Sequence, residues 1–497
     1  MSFPFRGNYL GGRFLRPPKG TPLISEDPGD LLSPIGTIFV SPDVVDEAVD
    51  AARKAFPRWM GLPLTKRISA LKAFQRILAK RQPHLISLVA REAGKPIGEA
   101  HREVERLVGK VDEMVGEGLR LVRSFSVSVS AGVQGECRWR PLGVLAVIGP
   151  FNFPAHTPGS HILPALMTGN TVVFKPSEYT PFVGQAMAEC LDAAGLPPGV
   201  FNLVHGAGEV GQRLVEHPGV AGILFTGSTA VGAAIRSATV REPQKCLALE
   251  MGGKNAALIL SDADVELAAR ETVVASFSMG GQRCNATSRI IVDRRIAKKF
   301  LSRFLELVDR VKIGYPLEEG ILMGPLVSHE AVVKFQRYMK LAQEEGFEVL
   351  RPGKALGKWE KRRGYYVTPG VHLCEDPSNN HSLHYRREEI FGPDVQILCA
   401  RNEDQMVAIN NEVSYGLVTS VFTRSRKRFG GLLPKIDTGM VNFNRGTIFS
   451  TGKLPFGGTK ASGSFRPAGL FSPYYCTYPM AILEDGRPLG QRNLPIS

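Results

Sequence analysis

A chain of 497 residues exceeds one ordinary hydrophobic core, so two or three domains are expected, and 43% apolar with 22% charged residues is the balance of a soluble globular protein. Cysteines at 137, 190, 246, 284, 374, 399 and 476, without a CxxC pair or a His/Cys cluster at zinc spacing, argue against a disulfide framework or a metal and for a reducing compartment. The first residues lack a signal pattern and no run approaches the roughly 20 apolar residues of a membrane span, so the expected location is cytoplasmic and no membrane partner is expected. A formal charge of +14 invites a nucleic-acid reading. The basic residues fall in small separate groups, however, which argues against nucleic acid as a partner; a face attracting an anionic small substrate, or a plain solvated surface, accounts for the same charge.

In chain order, residues 1 to about 40 are rich in Gly and Pro and read as an extended arm with turns. Residues 41–59 have an acidic helix start followed by apolar residues at helical spacing, residues 64–93 continue the pattern with a break near Pro83, and 99–122 form a further amphipathic helix. The period then changes: residues 124–130 alternate Ser with Phe and Val, which predicts a half-buried strand, and 474–484 reads as its partner. Between Gly143 and Gly253, short apolar runs at 144–148, 171–174, 201–204 and 222–225 alternate with helices, and the rhythm recurs at 255–260, 288–292 and 395–398. The fold class is therefore α/β, with two doubly wound parallel-sheet domains. The expected division is 1–122 with 142–251 for one domain, 252–450 for the other, and 123–141 with 466–497 for the hairpin and C-terminal strand.

Two stretches leave a strand and enter a helix with glycines between. Gly206-Ala-Gly208-Glu-Val-Gly211 is a GxGxxG, but the acidic residue that should follow about twenty positions later is absent near Thr226. Phe225-Thr226-Gly227-Ser228-Thr229-Ala-Val-Gly232 is the better candidate, because free N–H groups and the helix dipole at its start can hold a pyrophosphate. Lys175, Ser177 and Glu178 follow another strand end, where a Lys and a Glu can grip ribose hydroxyls; Glu178 would repel a 2′-phosphate, which favours NAD over NADP. Finally, Glu250 closes an apolar run ahead of Gly252-Gly253, and Cys284 follows Gly280-Gly281-Gln282-Arg283, where the neighbouring arginine is expected to lower the thiol pKa.

The segments EMGGKN and GQRCN, with PFNFP, FKPSE and FTGST before them and EEIFGP and PFGG after, occur here in one order. In that register the chain resembles the NAD(P)-dependent aldehyde dehydrogenase superfamily over nearly its whole length. The resemblance implies Cys284 as nucleophile, Glu250 as general base for thioester hydrolysis, and the Asn152 side chain with the Cys284 N–H as oxyanion donors. It also implies Gly227 and Ser228 at the cofactor phosphates, Gly208 and Gly211 near the adenosine, Lys175 at a ribose, and Glu389 with Phe391 at the nicotinamide ribose and ring. The 124–130 hairpin is implied to pair with a neighbouring subunit, giving a homo-dimer or homo-tetramer.

Stretches 140–147, 161–166, 439–446, 454–467 and 475–484 are similar to the branch of that family acting on N-succinylglutamate 5-semialdehyde in bacterial arginine breakdown. Lys254 departs from the Asn of that branch. The implied aldehyde is anionic, with Phe153, Ser450, Thr451 and a cation, Arg283 or Arg445, as candidate substrate residues. Glutamate 5-semialdehyde, a broad range of aldehydes, and a non-catalytic NAD- or nucleic-acid-binding oligomer remain the alternatives.

Overall fold

The structure, a computed structural model, describes residues 4–17, 19–379 and 384–487. The parts of the expected domains at 1–3, 18, 380–383 and 488–497 lie outside the described residues.

The strand Val144–Ile148 shows why the first domain folds as it does. All five side chains are buried, and alternate ones enter opposite cores: Leu145 and Val147 join Val172, Phe174 and Leu163, while Val144, Ala146 and Ile148 join Val173, Ile223 and Leu214. A strand apolar on both faces has to lie between layers of helices. The resulting seven-stranded sheet runs Cys246–Glu250, Gly222–Thr226, Val144–Ile148, Thr171–Lys175, Phe201–Leu203, Asn8–Leu10, Arg13–Leu15. The first five strands are parallel as expected, and the last two are antiparallel additions. Part of the expected N-terminal arm therefore extends the sheet, through strands of three residues that carry too little pattern to be read in advance.

The second domain repeats the device. Ala256 and Leu258 face one core, and Ala257 and Ile259 the other. Its seven strands run Glu348–Pro352, Gly370–Cys374, Asp394–Ala400, Thr287–Asp293, Asn255–Ile259, Val418–Phe422, Met440–Phe443, and all neighbours are parallel except the first pair. The expected helices are present as Val44–Met60, then Leu64–Lys80 and Gln82–Glu92 with the break at Arg81, then Ile97–Glu113 running into a wider π-helical turn at Met114–Gly118.

Two expectations about the third sheet are corrected. Phe125–Ser130 is a strand, but all six residues are exposed rather than half-buried, because nothing in the described chain covers either face. The run from 474 begins in a helical turn, Ser472–Tyr475; the strand is Thr477–Asp485 and it pairs with Val133–Pro141, so Phe125–Ser130 is the outer edge and not its direct partner.

A buried ion pair fixes the segment that leads to the cleft. Lys95 donates to Glu103 with both side chains fully enclosed, and Glu103 Oε1 also accepts from the N–H groups of Ala155 at 2.8 Å and His156 at 3.0 Å, satisfying the start of the helix His156–Thr168. The Lys95 ammonium lies 3.9 Å from the centroid of the Phe153 ring. Removing one member strands the other charge, so Glu103→Ala is expected to lose about 3–5 kcal/mol in urea unfolding. Asp112→Ala, which breaks an exposed pair with Lys72, is expected to lose under about 1 kcal/mol; equal losses for the two variants would contradict the account.

Candidate active site

One cleft of about 1540 Å³ runs between the two large sheets, and Cys284, Glu250 and Asn152 all line it. Glu250 is the last residue of the edge strand of the first sheet. Cys284 sits in the turn that enters Thr287–Asp293, the central strand of the second. Between them the chain crosses from one domain to the other at Gly252-Gly253. A Cβ at Gly252 would collide with the Glu389 carboxylate, and one at Gly253 would come within 2.7 Å of the Cys284 carbonyl oxygen.

The cysteine turn is locked from several sides. Met279, Gly280 and Gly281 all have left-handed φ, and a Cβ on Gly281 would strike the Gly392 carbonyl, so this turn interlocks with the one carrying Glu389 and Phe391. Asn255 Nδ2 donates to the carbonyls of Cys284 at 2.7 Å and Ala286 at 2.9 Å. Gln282 donates from its side chain to Met279 and Pro325, and accepts from Val327 N–H. Asn152 Nδ2 donates to the Gln282 carbonyl at 2.9 Å, which leaves its second N–H free for the cleft. Asn255 and Gln282 lie inside the motifs read from the sequence but gave no sign of their positioning role. Lys334 and His161 also line the cleft and were not anticipated; His161 bridges the hydroxyls of Tyr475 at 2.9 Å and Thr226 at 3.2 Å.

The electrostatics correct one expectation. Arg283 does pull the Cys284 thiol down, but burial, followed by the Glu389 and Glu250 carboxylates, outweighs it and pushes the thiol up to about 12. The glycine-rich loop is buried rather than open, from Ser278 through Arg283. Glu250 is raised well above the ordinary carboxyl range by burial, against one backbone hydrogen bond from Ala468, and its Oε2 has no partner. Burial raises Glu389 to about 7, opposed by the Gly253 N–H that donates to it at 2.9 Å. Burial lowers Lys254 to about 8, with its ammonium 5.4 Å from the Tyr385 ring.

The other arm of the cleft lies between two helices. Gly208 and Gly211 open one wall on Gly208–Glu216, and Val231, Ala234 and Ile235 line the other on Thr229–Ala238. Val231 is 48% exposed, an apolar platform left uncovered inside a cleft. Ser228 caps the second helix by accepting from Val231 N–H at 3.3 Å. At the floor, buried Lys175 donates to the carbonyls of Pro176 and Gly206 and sits 3.6 Å from Glu178. An apolar slot, a helix N-terminus and a Lys–Glu pair fit a flat base, a phosphate and ribose hydroxyls, so these residues fit a dinucleotide.

Phe225, Thr226, Gly227, Ser177, Glu389 and Phe391 line the cleft as well. Thr229 and Gly232 do not: Thr229 donates to Ala461 at 3.4 Å, and Gly232 packs on Met251. On the opposite side Phe153, Arg283, Ser450 and Thr451 line it. Arg445 is not among the lining residues; its guanidinium stacks 4.3 Å from the Phe449 centroid and pairs with Glu271 at 3.9 Å, which takes it out of the expected substrate set.

The aldehyde dehydrogenase family profile matches residues 34–477. The chain belongs to the aldehyde dehydrogenase family. It is 34% identical over 448 residues to N-succinylglutamate 5-semialdehyde dehydrogenase of Novosphingobium aromaticivorans, covering 89% of this chain and 93% of that protein. It is 36% identical over 484 residues to N-succinylglutamate 5-semialdehyde dehydrogenase 2 of Caulobacter vibrioides, covering 96% of each. Among solved structures, lactaldehyde dehydrogenase from Escherichia coli superposes with a TM-score of 0.90 at 31% identity, over 96% of this chain and 98% of that one. A 1-pyrroline-5-carboxylate dehydrogenase from Thermus with bound NAD gives 0.89 at 31% identity, over 96% of this chain and 92% of that one. As an aldehyde dehydrogenase it is an oxidoreductase that uses a nicotinamide cofactor. No helix among the described residues is long and apolar enough to cross a membrane.

A thiol raised to about 12 gains thiolate tenfold per pH unit across the working range. Carbamidomethylation of Cys284 in cofactor-free protein, followed by peptide mass spectrometry, is therefore expected to accelerate steadily from pH 7 to 10; a rate that levels off before pH 10 would show an ordinary or lowered thiol.

Proposed function

We propose that this aldehyde dehydrogenase oxidises N-succinylglutamate 5-semialdehyde to N-succinylglutamate with NAD, through a covalent acyl group on Cys284. The reading rests above all on the meeting of Cys284, Glu250 and Asn152 in one cleft that also contains a dinucleotide-shaped arm. The names of its relatives and the succinylglutamate-like stretches of the sequence support the substrate.

In this mechanism the Cys284 thiolate adds to the aldehyde carbon, and the oxygen takes up the charge. The free N–H of Asn152 and the backbone N–H of Cys284 stabilise that oxyanion. When bound, the nicotinamide supplies the acceptor for the hydride lost from this carbon. A thioester remains on Cys284. Glu250 takes a proton from water as it attacks the thioester carbon, the C–S bond breaks, and the acid leaves with the thiol restored. Its raised pKa makes Glu250 a stronger base once ionised, and its unpartnered Oε2 can accept from water. Both groups act deprotonated and both have raised pKa values, so kcat/KM is expected to rise with pH through the neutral range.

Lys175, Ser177 and Glu178 would hold the adenosine ribose, Gly227 and Ser228 the phosphates, and Glu389 with Phe391 the nicotinamide half. On a ribose held by Lys175 and Glu178, a 2′-phosphate would meet the like charge of Glu178, which supports NAD over NADP. A single-turnover test separates the roles. Cys284→Ala should form no NADH, whereas Glu250→Gln should give a burst of about one NADH per site and then stall; steady turnover by Glu250→Gln at the wild-type rate would exclude it as the base. Asn152→Ala should lower kcat by about 10²–10³-fold.

Assembly is part of the same reading. The edge strand Phe125–Ser130 exposes Phe125, Val127 and Val129, each 49–56% open. Uncovered edges of this kind seek a partner, and a second copy of the chain would cover it. Replacing Val127 and Val129 together by Lys is expected to convert a dimer or tetramer to a smaller species by light scattering; an unchanged mass would place the interface elsewhere.

A further inference from the structure

The substrate side of the cleft has a wall built from one face of the helix Ile97–Glu113, on which Arg106, Gly109, Lys110 and Glu113 follow helical spacing and all line the opening. A Cβ at Gly109, or at Gly116 in the turn beyond, would meet nothing within 4 Å, so the wall opens onto free space at both glycines.

The charges of this wall are unevenly committed. Each acid has a cation nearby: Asp112 pairs with Lys72, Glu113 lies 3.4 Å from Lys110 although its Oε1 is buried without a hydrogen-bond partner, and Glu117 lies 3.1 Å from Arg120. Two cations lack an equivalent, and a third is only partly satisfied. Arg106 has no hydrogen bond or ion pair among the described residues, and the same holds for the Lys453 ammonium. Arg283, 7% exposed, pairs with Glu99 at 3.5 Å and lies 5.1 Å from the centroid of the Phe153 ring, but its Nε is buried without a partner. His156 lines the same space with Nδ1 also unpartnered, and burial holds its ring neutral, able to offer a hydrogen bond without adding charge. Gly452 closes the arrangement: a Cβ there would collide with the Glu113 carboxylate, so the loop bearing Ser450, Thr451 and Lys453 can lie against the helix only through glycine.

We infer that this wall is a carboxylate subsite, in which Arg106 is the specificity-determining cation, Arg283 and Lys453 share the same anionic arm of the substrate, and the aldehyde lies at the other end toward Cys284. A buried donor without a partner beside two free cations is an unfinished anion site, and a carboxylate supplies the missing acceptors. The inference rests on the proposed substrate reading and adds to it the residues that select a remote carboxylate.

The test compares N-succinylglutamate 5-semialdehyde with the same aldehyde carrying both carboxylates as methyl esters. In the wild type kcat/KM should favour the free acid at least tenfold. Arg106→Gln should cut that ratio about 10- to 100-fold, the scale of one lost charge-assisted hydrogen bond, and Arg106→Lys should restore part of it. An Arg106→Gln ratio equal to wild type overturns the subsite and leaves the substrate reading intact. A wild-type ratio near one overturns both, while NADH formation from the ester would still uphold the dehydrogenase. Binding of the product N-succinylglutamate, by calorimetry, needs no turnover: Arg106→Gln should weaken it by a similar factor, and an unchanged Kd overturns the subsite even where turnover fails for other reasons.

Discussion

Between Glu250 and Asn255 the backbone leaves the edge of one sheet and enters an interior strand of the other, and it does so with no side chain at Gly252 or Gly253. At this crossing the Glu389 carboxylate and the Cys284 carbonyl both press against the glycine Cα atoms, closer than any Cβ would allow. Gly253 N–H holds Glu389, and Asn255, two residues on, holds Cys284 through its carbonyl. The separation of Glu250, Cys284 and Glu389 is thus set by six residues of chain. The two sheets are large rigid bodies with apolar layers on both faces, and the crossing fixes where their edges meet.

The catalytic groups of the cleft are largely withdrawn from solvent, and that governs its chemistry. Burial raises the Cys284 thiol and the Glu250 and Glu389 carboxyls together and depresses Lys254, so in each case it favours the neutral form. Neutral ground-state groups cost little to bury, whereas charge that develops during reaction finds fixed donors at Asn152 and the Cys284 backbone. Arg106 and Lys453, free cations that line the same cleft, can draw an anionic molecule inward.

Much of this was legible in the residues because it follows from local pattern. The short apolar runs at 144–148 and within 255–260 were read as strands and are strands buried on both faces, and the motif glycines pointed to turns that the structure contains. Other features depend on distance in the chain. Arg283 precedes Cys284 and suggested an acidic thiol, but its effect was decided by burial and by Glu389, more than a hundred residues later. Arg445 looked like a substrate cation beside Ser450 and Thr451 until its turn directed it to Phe449 and Glu271. Arg106 carried no motif, since an arginine on an amphipathic helix reads as solvated surface until the opposing loop is seen. The three-residue strands Asn8–Leu10 and Arg13–Leu15 were too short to show any period.

The central claim is that carbon bonded to the Cys284 sulfur is oxidised before water reaches it. The most direct measurement is the intact mass of Glu250→Gln protein, quenched after brief mixing with N-succinylglutamate 5-semialdehyde and NAD and mapped to peptides. The account predicts an acyl adduct on the peptide containing Cys284, lighter than the simple aldehyde adduct by the hydride and proton lost, and absent when NAD is omitted. An adduct elsewhere, or NADH formed with no adduct at all, would contradict it.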